Sequence, residues 1–128
     1  MPAYDSAMFD PPAPVARVIL RNPGNGATWS DVPMLLDSGA DVTLIPQTSI
    51  DRLGLTVAPD KYYELIGFDG SVSLASVVQL ELIFLNRVFR GQFLLIDQKW
   101  GILGRNILNA ISLLLDGPRL IWIEKGPD

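Results

Sequence analysis

The feature that most constrains the fold is the alternation of short, β-branched apolar runs with tight clusters of Gly, Pro, Asn and Asp. Runs of this length are typical of strands, and the clusters between them are typical of turns. The pattern leaves room for only two short helices and therefore predicts a mostly β sandwich or barrel. The predicted strands cover residues 15–21, 29–36, 62–66, 71–74, 77–85, 88–96, 113–115 and 120–123, and the predicted helices cover 46–53 and 105–111.

Composition narrows the possible chemistry. The 128 residues, 48% of them hydrophobic, are enough for one domain with its own core. The chain contains no Cys and no His, which excludes thiol catalysis, disulfides and histidine bases. Acid–base chemistry must therefore come from carboxylates, and no metal or cofactor is expected. With a net charge of −4 and scattered Lys and Arg, no nucleic-acid partner is expected either.

Asp37 is the residue best suited to chemistry. It follows Leu35 and Leu36 at the end of a predicted strand, and it precedes Ser38 and Gly39. A carboxylate at the end of a buried strand costs free energy unless hydrogen bonds stabilise it, and a glycine permits the tight loop that supplies them. Most Asp-Ser-Gly triplets are ordinary Asx-turns or helix N-caps, so the triplet alone does not decide the function.

Three features, in order along the chain, resemble the retropepsins, the single-domain aspartic proteases of retroviruses and their cellular and bacterial relatives. Residues 35–41 read Leu-Leu-Asp-Ser-Gly-Ala-Asp, against a family pattern of two apolar residues followed by Asp-Thr/Ser-Gly-Ala. Residues 102–106 read Ile-Leu-Gly-Arg-Asn, and between the two lies a glycine-containing hairpin at 66–71, where the family places its flap. The resemblance implies an all-β, single-domain retropepsin-like fold with a flap hairpin, and aspartic endopeptidase activity.

The resemblance also implies a role for individual residues. Asp37 corresponds to the catalytic carboxylate, Ser38 to a hydroxyl that interlocks two catalytic loops, and Gly39 to a residue that binds the substrate backbone. Asp41 and Arg105 correspond to a buried ion pair behind the site. The residues that the resemblance implies to bind substrate are Ala40, Asp41, Leu44, Ile66, Gly67, Phe68, Gly70 and Ile102. The residues that it implies to support the site structurally are Arg105 and Asn106.

A second copy of the chain is the expected partner. Aspartic proteases use two carboxylates about 3 Å apart that share one proton. This chain has a single Asp-Ser-Gly, because Asp69-Gly70 and Asp116-Gly117 lack the intervening hydroxyl residue. The second carboxylate is therefore expected from Asp37 of a symmetric homodimer, with peptides or proteins as substrates.

Three alternatives remain open at this stage. The first is a non-catalytic dimerisation or peptide-binding module on the same fold, since a fold does not guarantee activity. The second is a plain β-sandwich interaction domain with a chance triplet, which would leave Gly104-Arg105-Asn106 unexplained. The third is a glycosidase with paired carboxylates, for which the domain is small and a second acidic loop is missing.

The first fourteen residues differ in composition from the rest. They contain four prolines and are interpreted as an arm or linker, residues 1–14, that precedes a protease domain at 15–128. They have no signal-peptide pattern, and no apolar run in the chain approaches the roughly 20 residues of a membrane span. The expectation is a cytoplasmic protein without membrane contacts, or a domain of a larger chain.

Overall fold

The computed structural model describes residues 2–59, 61–67 and 69–126. Most of these residues lie in strands, which confirms the predicted mostly β class. The elements in chain order are β1 (Tyr4–Asp5), β2 (Ala13–Arg21), β3 (Thr28–Leu36), β4 (Leu44–Pro46), α1 (Gln47–Leu53), β5 (Tyr62–Ile66), β6 (Val72–Phe84), β7 (Arg87–Ile96), β8 (Gly101–Leu103), α2 (Arg105–Leu108), β9 (Leu113–Asp116) and β10 (Ile121–Glu124).

The strands form one large sheet and one hairpin. The large sheet has the order β1-β2-β3-β8-β4-β7-β6-β5, and β2 also pairs with β6. Most neighbours are antiparallel, whereas β3 with β8 and β4 with β7 are parallel. The hairpin consists of β9 and β10. The parallel pairing of β3 with β8 joins segments far apart in the sequence, and both strands end at the candidate site.

The apolar side chains divide into two clusters. The larger cluster fills the interior and includes fully buried residues such as Leu20, Met34, Leu80 and Leu103. The smaller one lies at the base of the hairpin formed by β5 and β6. Its buried members are Leu44, Ala75, Val77 and Leu94, and the partly buried side chains against it are Val42, Ala58, Leu65, Ile96 and Ile102. Its packing fixes one end of that hairpin to the body of the protein.

Glu81 is a buried charge in the middle of the sheet, with only 3% of its surface exposed. Arg21 on β2 and Arg90 on β7 lie opposite it in register, and the Nε of each donates to its carboxylate at 2.7 Å. These hydrogen bonds lower the pKa of Glu81, and the bond from Arg21 has the larger effect. The carboxylate is thus paired on both sides, which a buried charge requires.

Two boundaries differ from the sequence-based expectation. The second helix ends at Leu108 and not at Ile111, because the N–H groups of Ala110 and Ile111 donate to carbonyls three residues back, from Ile107 and Leu108. The expected strands at 71–74 and 77–85 are one continuous β6, because it pairs with β5 along its first part and with β7 along the rest.

The turn between β6 and β7 is centred on Leu85 and Asn86, whereas the predicted strands 77–85 and 88–96 place it one residue later, at Asn86 and Arg87. Leu85 and Asn86 both have positive φ angles, 52° and 62°, which is the conformation of the two-residue hairpin turns that match strand twist.

The first residues of the chain contact both the start of β2 and the C-terminal hairpin. β1 pairs with Ala13 and Pro14 at the start of β2. On its other side, Ala3 forms a β-bridge with Ile121, and the Tyr4 N–H donates to the Leu120 carbonyl at 2.8 Å. The division of the chain at residue 14 stays a prediction.

In the described part of the chain, neither helix is long and apolar enough to cross a bilayer.

Candidate active site

The loop after β3 holds Asp37 at the end of the parallel β3–β8 pair. The Asp37 N–H donates to the Leu103 carbonyl at 3.1 Å, which continues the register beyond Leu36. The Asp37 carboxylate accepts a hydrogen bond from the Gly39 N–H at 2.9 Å. The backbone carbonyl of Asp37 accepts one from the Ala40 N–H at 3.2 Å. Locally this is an Asx-turn. It leaves Asp37 half-buried, with its carboxylate oriented by backbone.

The start of α2 holds the same loop from the other side. The Arg105 N–H donates to the Ala40 carbonyl, and the Arg105 Nη1 donates to the Ser38 carbonyl, both at 2.8 Å. Gly104 is needed for this approach, since a Cβ there would overlap the Val42 carbonyl. Residues about 65 positions apart in the sequence therefore fix the loop, and local turn chemistry is only part of its support.

The prediction of a buried ion pair between Asp41 and Arg105 is wrong. Both residues are exposed, and no ion pair joins them. The physical reason is the position of Arg105 in the first turn of α2, from which its guanidinium reaches the Ser38 carbonyl. Arg105 still supports the loop, but through a hydrogen bond to the backbone and not through a charge pair.

Thr43 supports the site and was missed by the sequence analysis. It is 1% exposed, its Oγ1 donates to the Asn106 Oδ1 at 2.7 Å, and it accepts from the Gly104 N–H at 3.1 Å. The hydroxyl thereby ties the chain after the Asp37 loop to the start of α2. The available signal was a single hydroxyl residue inside the apolar run 42–46.

The hairpin of β5 and β6 forms the opposite wall of the site. Its turn is closed by the Gly67 N–H donating to the Ser71 carbonyl at 2.9 Å and by the Gly70 N–H donating to the Gly67 carbonyl at 3.0 Å. Gly70 has a φ of 82°, which favours glycine. Asp69 accepts from the Ser71 N–H at 2.9 Å, and the hydrogen bonds from Ser71, led by its side chain, lower the pKa of Asp69. The predicted flap residue Phe68 lies outside the described residues.

A cavity of about 350 Å³ separates the Asp37 loop from this hairpin. Six of the residues proposed from the sequence line it together: Asp37, Gly39, Ala40, Asp41, Ile66 and Gly67.

The other predicted site residues lie elsewhere. Leu44 and Ile102 belong to the apolar cluster at the hairpin base, and Gly70 lies in the turn. Ser38 lines a separate groove of about 240 Å³, together with apolar residues of α2 and β9. In the described part of the chain, no cluster of acidic side chains is spaced to bind a metal ion.

A sequence model of the aspartyl protease family matches residues 24–107. The chain belongs to that family. The matched range contains the Asp37 loop and the hairpin, which line the cavity, and the start of α2, which holds the loop through Arg105. No curated protein matches this aspartyl protease.

Solved structures show the same fold for this aspartyl protease. One is the EIAV protease in complex with the inhibitor HBY-793, at a TM-score of 0.55 and 24% sequence identity. The match covers 77% of this chain and 86% of the EIAV chain. The fold is therefore retropepsin-like, as the three sequence motifs implied.

Proposed function

We propose that this protein is an aspartic endopeptidase whose active site is completed by Asp37 of a second, identical chain. The observation that carries the proposal is the cavity between the Asp37 loop and the β5–β6 hairpin. In this cavity the Asp37 carboxylate, which the Gly39 N–H orients, faces a glycine-containing turn, and the chain is a member of the aspartyl protease family. Ile66 and Gly67 of the hairpin form the cover under which an extended peptide would lie.

The proposed reaction needs only two carboxylates and one water molecule. The ionised carboxylate removes a proton from the water, whose oxygen attacks the peptide carbonyl carbon. The protonated carboxylate gives its proton to the carbonyl oxygen, which yields a neutral tetrahedral intermediate. Transfer of a proton to the amide nitrogen then breaks the C–N bond and releases the acid and the amine. Two carboxylates about 3 Å apart hold a single proton between them, which supplies the acid and the base together.

The surface beside the Asp37 loop supports a second copy as the partner. The groove that contains Ser38 is otherwise mostly apolar, with Leu36, Leu108, Ile111, Leu113 and Leu115 around it. Leu114 and Leu115 on β9 and Leu120 beside β10 are between 44% and 52% exposed.

The hydrogen-bonding edge of β9 strengthens this assignment. Within the described residues β9 pairs only with β10, so its other edge is free to pair with another strand. A two-fold axis next to Ser38 would cover this surface and bring the two Asp37 side chains together.

The decisive variant is Asp37→Asn, which keeps the shape of the side chain and removes its charge. We expect cleavage of a denatured protein substrate at acidic pH to fall at least about a thousandfold, because a positioned acid–base pair contributes up to about 10⁴-fold. Asp31→Asn is the matched control, since Asp31 is exposed on β3 and its positive φ suits Asn. Retained cleavage by a folded Asp37→Asn protein would overturn the proposal.

A further inference from the structure

A second cavity, of about 450 Å³, lies between β1, β2 and the end of β6. It shares no lining residue with the cavity at Asp37. Among the described residues, β1 pairs with β2 up to Pro14 and β6 pairs with it from Ile19 onward, so the edge of β2 opposite β3 has no neighbouring strand in between. The cavity occupies that gap, and its volume lies in the range of small-molecule sites, about 300–1,000 Å³.

Aromatic and aliphatic side chains form much of the wall of this cavity. Phe84 and Trp122 are 4% and 2% exposed, and their ring centroids lie 5.9 Å apart at a tilt of 52°. The Trp122 Nε1 donates to the Val15 carbonyl at 3.1 Å, which pairs the polar groups of both residues. Phe84, Trp122 and Val15 therefore offer apolar surface to a ligand, held in place by the hydrogen bond to β2.

Two side chains of opposite charge also line the cavity. The Arg17 Nη2 and the Asp5 Oδ2 lie 3.9 Å apart, which is the longest of the ion pairs in the part of the chain that the structure describes. At that distance the two groups do not form a hydrogen bond. The Asp5 Oδ1 accepts from the N–H groups of Ala7 and Met8, each at 2.8 Å, which fixes the carboxylate. The Asp5 Oδ2 and the Arg17 guanidinium can therefore bind a ligand.

This arrangement suits a ligand that carries both charges. A simple anion would be attracted by Arg17 and repelled by Asp5, and a simple cation would meet the reverse. In an α-amino acid the nitrogen and the carboxyl carbon are only about 2.5 Å apart, so its two charged groups can reach two closely spaced partners at once. Its carboxylate would accept from Arg17 and its ammonium group would donate to Asp5, both as charge-assisted hydrogen bonds.

We propose that this cavity is a binding site for a free α-amino acid with a large apolar side chain. The amino acid places its charged groups on Arg17 and Asp5 and its side chain against Phe84 and Trp122. The site is separate from the proposed catalytic cavity, and its occupation does not depend on the endopeptidase function.

The test follows the indole N–H signals by NMR while the protein is titrated with three probes. L-Phenylalanine carries both charges, N-acetyl-L-phenylalanine lacks the ammonium group and L-phenylalaninamide lacks the carboxylate. We expect L-phenylalanine to shift the Trp122 signal with a dissociation constant of about 1 mM, the scale that a ligand of this size reaches. Each of the other two probes should bind about fivefold more weakly, the equivalent of one partly exposed ion pair. Trp29 and Trp100 do not line the cavity and serve as internal controls.

Three variants locate the site. Arg17→Gln and Asp5→Asn each remove one charge and should weaken L-phenylalanine binding about fivefold. The matched control is Arg119→Gln, since Arg119 is also exposed, has a similarly long ion pair and lies outside the cavity. Ala3→Phe keeps both charges but fills the cavity that Ala3 lines, and it should abolish the shift.

The amide spectrum verifies that each variant is folded. Equal affinity for the three probes, or an Arg17→Gln protein that binds as well as the Arg119→Gln control, would overturn the proposal. It would also be overturned by a Trp122 signal that does not move at about ten times the expected dissociation constant, or by binding that persists in folded Ala3→Phe.

Discussion

The Asp37 loop and the turn of the β5–β6 hairpin face each other across one cavity but are stabilised in different ways. Contacts from β8 and α2, distant in sequence, hold the Asp37 loop through Leu103 and Arg105. The described residues of the hairpin turn, Gly67, Asp69, Gly70 and Ser71, form local hydrogen bonds with one another. The difference teaches that long-range contacts hold the carboxylate that we propose as catalytic, whereas the local hydrogen bonds of the other wall would cost little free energy to break.

The side chains beside each wall agree with this division. Thr43, which holds the Asp37 loop against α2, is 1% exposed. In the hairpin, Ile66, Val72 and Leu74 are between 58% and 74% exposed. These described side chains would therefore lose few apolar contacts if the hairpin moved away from the body, up to the cluster that holds its base. A peptide that enters the cavity would supply the missing contacts.

The largest expected difference comes from the same substitution at one glycine in each wall. Gly104→Ala places a Cβ against the Val42 carbonyl, and we expect it to lower the free energy of unfolding by about 3 kcal/mol, as for strong overpacking. Gly70→Ala has open space for its Cβ and suffers only from its positive φ, at a cost of about 1 kcal/mol. Chemical denaturation measures both, and similar losses at the two positions would contradict the comparison.

A smaller effect is expected from removing the buried hydroxyl that supports the Asp37 loop. Thr43→Val keeps the shape of the side chain but leaves the Gly104 N–H and the Asn106 side chain without their partner. We expect a loss of about 2 kcal/mol, the range for a buried group left unsatisfied. Thr43→Ser is the control, because it keeps the hydroxyl.

The kinetic consequence of the same change separates the two walls further. If the loop positions the carboxylate, kcat should fall about tenfold in Thr43→Val, since small displacements of a reacting group are costly. Equal stability and kcat for Thr43→Val and the intact protein would show that the loop does not depend on this hydroxyl.

The smallest expected effect is the pH response of the hairpin turn. The hydrogen bonds of Ser71 lower the pKa of Asp69, so they stabilise the turn above the ordinary aspartate pKa of 3.8. That contribution is lost as the pH falls from 3.8 through the lower pKa of the folded state. Ser71→Ala should raise the Asp69 midpoint in an NMR titration, whereas the neighbouring Ser73→Ala should not. An Asp69 midpoint that does not move in Ser71→Ala would contradict this account of the turn.

The contrast between the walls also explains what the sequence could predict. The hairpin turn follows from local residue chemistry, since Asp69-Gly70 between two apolar runs indicates a tight turn. The position of Asp37 at the end of a strand could also be predicted, because the apolar residues that form the strand directly precede it in the sequence. The strand β4 was not expected, because its three residues pair with β7 and β8, from which they are separated by about 50 residues or more.

Interactions between distant segments account for the other differences. Arg105 was expected to pair with Asp41, yet it donates to the Ser38 carbonyl. The family resemblance implied a carboxylate partner for this arginine, but only the path of the chain decides which oxygen is within reach. The role of Thr43 depends on α2 in the same way. The strand β1 was not predicted, because the prolines around it indicated an arm or linker. The contacts that hold it, the pairing with β2 and the bridge of Ala3 to the C-terminal hairpin, cannot be read from the local sequence.

The central claim is that two chains share one active site, and mixing active and inactive chains tests it most directly. Wild-type protein is exchanged with an equal amount of Asp37→Asn protein, and native mass spectrometry verifies that mixed dimers form. The control adds Asp37→Asn protein that also carries Leu115→Asp, which introduces a charge into the proposed interface. A shared site predicts that activity per wild-type chain falls to about half with the single variant, because random pairing places half of the wild-type chains in mixed dimers, and that it stays unchanged with the control. Full activity per wild-type chain in the presence of mixed dimers would contradict the account.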